Sequence, residues 1–92
     1  MSTHNEHELN AYRARLLSLL TRVRTAPDLT SLDADFYIVL GWISAAHCLG
    51  AIRIGASDSL HDLALNASQH RAAEFAQQAE ARRLTFAQER AA

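Results

Sequence analysis

FYIVLGWISAAHCLGAI, from Phe36 to Ile52, runs without a single Asp, Glu, Lys or Arg. A membrane-spanning helix needs about 20 clearly apolar residues. This stretch falls short, contains His47 and is closed by Arg53, so the reading is a soluble helix, placed at about residues 31–54. Its apolar positions do not form one stripe. Ile38, Trp42, Leu49 and Ile52 lie along one line, with Ala45 between them. Gly41, Ser44, Cys48, Ala51 and Gly55 form a second line of small residues, and Phe36, Leu40, Ile43, His47 and Ile54 a third. A helix apolar on nearly every side must be covered on nearly every side.

The flanking segments are more conventional. Over residues 5–25, Leu9, Tyr12, Leu16, Leu19 and Val23 recur at spacings of three and four, the signature of an amphipathic helix. Arg13, Arg15 and Arg22 border that stripe. Their stems can lie on apolar surface while their guanidinium groups reach acids elsewhere. A third helix is expected at about 59–88, rich in Ala, with Leu65, Ser68, Ala72, Phe75, Ala79, Arg82 and Phe86 in the same spacing. That stripe thins after Phe75, so the end of the chain projects, frays or meets a partner.

Punctuation separates the three helices. Pro27, the only proline, marks the first turn. Gly55, placed as a helix C-cap, marks the second, within Gly55–Asp58. Thr30 with Asp33, and Ser59 with Asp62, have the spacing of capping boxes at the following helix starts. The fold class is therefore all-α: one domain of three helices over residues 1–92, with 1–5 and 89–92 expected to fray. Two helices cannot enclose a third that is apolar all round. The surplus face is expected to complete its core in a homodimer, which would also relieve the small-core problem of a 92-residue chain.

Composition narrows the function. A net charge of −1 gives no global field to draw in nucleic acid or an acidic membrane. All nine basic residues are Arg and 18 residues are Ala; both have GC-rich codons, which points to a bacterial or phage genome. The N-terminus lacks the basic and apolar regions of a signal peptide. The lone Cys48 reads as a buried reduced thiol, and the expected location is the cytoplasm.

No set of residues specifies a cofactor, a metal or a catalytic centre. His4 and His7 are three apart, but no second cluster follows at zinc spacing. His61 and His70 do not share a helix face. His47 and Cys48 are adjacent in a helix, so their side chains diverge by about 100° and cannot act as a local base–nucleophile pair. The glycine spacing Gly50-Ala-Ile-Arg-Ile-Gly55-Ala-Ser57 matches a phosphate-binding loop, but Ala56 stands where its lysine belongs. Ala46-His47-Cys-Leu49-Gly50-Ala51, followed by Ile54-Gly55-Ala56, resembles a histidine phosphotransfer motif. That resemblance implies His47 as the phosphorylated residue, though the motif's lysine is missing and its second glycine comes about two residues early. Gln69, Arg71, Gln77, Gln78, Arg82 and Arg83 could contact DNA from the third helix, giving a dimeric DNA-binding regulator as the alternative, but Glu74 and Glu80 interrupt them.

The favoured expectation is a small helical regulator, an inhibitor, anti-activator or adaptor. It would occlude a surface of another protein, with a transcriptional regulator or a defence complex as partner classes. The residues expected at the partner or dimer interface are Leu9, Tyr12, Arg15, Leu16, Leu19, Arg22, Trp42, Leu49 and Ile52.

Overall fold

The computed structural model describes residues 6–91. Within them α1 spans Glu6–Arg24, α2 Leu29–Cys48 and α3 Ile54–Ala91, and there is no strand among the described residues. Acids Glu6 and Glu8 open α1 and Arg22 and Arg24 close it, each the favourable sign for its end of the helix dipole.

Asp28 caps α2. Its backbone is extended (φ −154°, ψ 171°), and its carboxylate accepts a 2.7 Å hydrogen bond from the Ser31 backbone N–H. That bond holds the Asp28 carboxyl below its ordinary pKa. The cap is therefore Asp28 rather than the expected Thr30. Asp28→Ala leaves the first-turn N–H groups without their acceptor and is expected to destabilise the fold. Thermal unfolding followed by circular dichroism should show a midpoint lower by about 4–8 °C, with Asp28→Asn restoring most of it.

The second turn corrects the sequence reading. α2 ends at Cys48, and Gly50, not Gly55, takes the left-handed conformation (φ 76°). Gly50 N–H donates to His47 O at 3.1 Å and Ala51 N–H to Ala46 O at 2.8 Å, the bond pair of a Schellman cap. Ala46 and Ala51, the residues that such a cap brings together, are both buried. Gly55 and Ser59 lie inside α3, which starts five residues before the expected Ser59 and continues through residue 91 instead of fraying after 88.

The core lies along one face of each helix. Leu16, Leu19 and Val23 of α1 meet Leu32, Val39, Ile43 and Ala46 of α2 and Ala64 of α3. Each turn is tied down by an Arg from the remaining helix. Arg13 of α1 donates through Nε to Ala51 O at 2.9 Å, and Arg71 of α3 donates through Nε to Ala26 O at 2.7 Å. Glu74 joins Arg24 to Arg71. The Arg24 hydrogen bond, with help from Arg71, holds the Glu74 carboxyl below its ordinary range. Its contribution to stability is therefore present above the ordinary Glu range and is lost as pH falls through the lowered value.

α3 is far longer than the other two. It extends for about 57 Å, in a molecule measuring 73 × 20 × 15 Å. Residues 76–91 are exposed throughout. This is the projecting end that the thinning stripe foreshadowed.

Candidate interaction face

α2 buries Leu32, Asp35, Val39, Ile43 and Ala46 and turns the opposite side outward. The outer ridge consists of Thr30, Ala34, Tyr37, Gly41, Ser44 and Cys48, all exposed, flanked by exposed Ile38 and half-buried Ala45. The ridge residues themselves are uncharged; of the two acids of α2, exposed Asp33 lies one turn before Tyr37 at the ridge's edge and Asp35 is on the buried side. Tyr37 is 72% exposed. A Cβ added at Gly41 would meet nothing within 4 Å, so backbone is accessible at the middle of the ridge.

Beside the ridge, towards α1, is an open depression of about 490 Å³ lined by Arg22, Thr25, Ala26, Pro27, Ser31, Ala34, Asp35 and Ile38. Its polar feature is the pair Arg22 Nη2–Asp35 Oδ1 at 3.3 Å. Asp35 is only 8% exposed. A carboxylate so placed needs its partner, because removing one member of a buried pair strands the other charge. Arg15 lies two turns before Arg22 on the same edge of α1 and is exposed.

The residues expected from the sequence do not gather on one surface. Leu16 and Leu19 are buried in the chain's own core. Leu9, Tyr12, Trp42 and Ile52 are half-buried against it, with Tyr12 and Trp42 ring centroids 4.6 Å apart in the α1–α2 seam. Leu49 is exposed at the α2 C-cap. Of these, only Arg22 lines the depression beside the outer α2 face, with Arg15 exposed further along the same edge of α1. Sequence reasoning placed Tyr37 on none of its stripes, although the line of small residues containing Gly41, Ser44 and Cys48 marked the same side of the helix.

Three further expectations can be located. Cys48 is exposed, not buried, because α2 ends there and the small-residue line faces outward. His47 is also exposed, in the last turn of α2. His61 Nδ1 lies 2.9 Å from Ser57 O within α3. His4 lies outside the described residues, so its pairing with His7 has no geometry; among the described residues no cluster of His, Cys, Asp or Glu could hold a metal. The α3 residues considered for DNA do not form a basic face: Arg71 turns inward to Ala26 and Glu74, and Arg83 pairs with Glu80 at 2.6 Å. No described helix is long and apolar enough to cross a membrane. No protein-family model, no characterised protein and no solved structure matches this chain, so a functional reading must rest on the chain's own surfaces.

Proposed function

We propose that this chain is a small helical regulator that binds and occludes a surface of another protein through the outer face of α2, and that it acts as a homodimer. The observation that carries the reading is the charge-free ridge centred on Tyr37 and Gly41. A mostly exposed Tyr amid apolar and small residues is suited to filling a pocket on a partner. Open space over Gly41 lets an apolar helix or strand of the partner approach the α2 backbone closely. Arg15 and Arg22, at the rim, would set orientation and association rate more than affinity.

The reading is one of binding rather than catalysis. A bacterial or phage cytoplasm, with a transcriptional regulator or a defence complex as partner, remains the proposed setting. Arg15→Glu tests the rim. It should slow partner association about tenfold at low salt and much less at high salt, as measured by surface plasmon resonance on the captured partner. An unchanged rate and salt dependence would remove Arg15 from the interface. Arg22→Glu is a poorer probe, because it also sets a second carboxylate against buried Asp35.

A further inference from the structure

We infer that the outer face of α2 takes a helix of its partner, one that carries two acidic residues seven positions apart along one edge of an apolar stripe and a basic residue on the opposite edge. This rests on the proposed partner-binding role of that face and names the chemistry of what binds there.

The charges beside the ridge are the first argument. Asp33 and Asp35 are two residues apart, which turns them about 200° around α2 and places them on opposite sides of it. Asp35, on the inner side, holds Arg22 of α1 at 3.3 Å through one Nη2–Oδ1 contact. The Arg22 side chain stays 55% exposed and keeps further N–H donors for a second acid. Asp33 stands exposed on the other edge. Arg22 and Asp33 therefore flank the ridge at nearly the same height, one of each sign.

Arg15 extends the positive edge. α1 runs antiparallel to α2, since Arg22 meets Asp35 at one end and Tyr12 meets Trp42 near the other. Arg15 lies between those contacts, close to the height of Gly41 and about 10.5 Å from Arg22 along α1. Neither Arg15 nor Asp33 has an ion-pair partner among the described residues. The face is thus an uncharged strip with two cations along its α1 edge and one anion on its α3 edge. An element that covers it strands no charge only if it brings acids to the first edge and a base to the second.

A helix is the element that fits. Thr30, Ala34, Tyr37, Gly41, Ser44 and Cys48 are spaced by fours and threes, the repeat of a helix-packing seam, over about 27 Å. The backbone groups of α2 are already spent within α2, so a strand laid here would gain no main-chain hydrogen bonds and would lose those it made to water. A helix arrives with its own backbone satisfied. Its residues seven apart stand on one side, two turns or about 10.5 Å from each other, which matches the separation of Arg15 and Arg22. The depression of about 490 Å³ beside Arg22, with Pro27, Ala34 and Ile38 in its lining, receives one large apolar side chain of the stripe.

The test is a phage-displayed library of a soluble helical scaffold with one helix face randomised, selected on the immobilised full chain. Survivors are then screened against the Gly41→Arg chain, and those that no longer bind are sequenced. They should carry Asp or Glu at two positions seven apart on one edge of an apolar stripe, and Lys or Arg on the other. Arg15→Glu should weaken the best of them about tenfold at low salt. Replacing the facing acid of that binder by Lys should restore most of the loss on the Arg15→Glu chain and none on the native one. Survivors that require Gly41 but show no acid pair, and that bind the Arg15→Glu chain as well as the native one, would overturn this inference and leave α2 as the binding face. A library that yields no binder lost on the Gly41→Arg chain would overturn the helical occupant. The reading beneath it falls on a different result, a natural partner held equally by the native and Gly41→Arg chains.

Discussion

Ile43→Ala is expected to lower the stability of the fold by about 2–5 kcal/mol. Ile43 has no exposed surface and belongs to the buried cluster that also holds Val39 and Ala46 of α2 and Leu16 and Leu19 of α1. Removing three of its side-chain carbons forfeits their transfer from water and leaves a void that three rigid helices cannot fully close. Domains of this size are stable by only about 5–15 kcal/mol, so the loss is a large share of the total. Thermal unfolding at fixed protein concentration should show a midpoint lower by at least about 10 °C. Leu17→Ala is the matched control. Leu17 is exposed on the side of α1 away from the core, so its truncation should change stability by no more than about 0.5 kcal/mol. If Ile43→Ala and Leu17→Ala proved equivalent, the arrangement of the α1–α2 seam would be wrong.

The contrast between those two leucine-rich helices explains what the sequence could reveal. In α1 the stripe Leu9, Tyr12, Leu16, Leu19 and Val23 is set off by Arg and polar residues, so periodicity alone points to the buried face, and Leu16, Leu19 and Val23 are indeed buried. In α2 no polar face marks the outside. From Phe36 onward every line through the helix is apolar or small, and nothing local distinguishes Val39, which is buried, from Tyr37, which is not. Tertiary packing makes that choice: α1 and α3 cover one side and leave the other bare. The turn after α2 was misplaced for a related reason. Gly50 and Gly55 are both plausible caps, and apolar periodicity runs through Ile52 and Ile54. The cap is set at Gly50 by the apolar pair Ala46 and Ala51, a longer-range feature than the glycine itself. The expected burial of Cys48 failed with it, because the helix end exposes the thiol.

The α3 overhang was better foreshadowed. Arg82 interrupts a stripe that is otherwise thin beyond Phe75, and a stripe interrupted by charge does not belong to a chain's own core. The helix nevertheless holds its form to Ala91. Ala, Gln, Glu, Arg and Leu are strong helix formers, and Glu80 with Arg83 adds a pair three residues apart.

The second large effect concerns the outer α2 face. Gly41→Arg should leave the fold intact or firmer. The position is helical with open space around it, so exchanging Gly for a good helix former gains up to about 1 kcal/mol. A long charged side chain rising from the centre of the ridge would, however, keep any partner from the α2 backbone and place an unpaired charge in an apolar contact. Affinity for the partner should fall by at least about 100-fold, equivalent to roughly 2.7 kcal/mol. Because stability and binding are expected to move in opposite directions, loss of binding could not be ascribed to unfolding.

That opposition makes one measurement decisive: capture from nuclease-treated lysate of the source organism on immobilised native chain and on the Gly41→Arg chain, with quantitative mass spectrometry of what is retained. The native chain should hold one protein in near-stoichiometric amount, and the Gly41→Arg chain should lose it while unfolding no more easily than the native one. Equal retention by both chains, or no retained protein on the native chain, would contradict a partner-binding role for the outer face of α2.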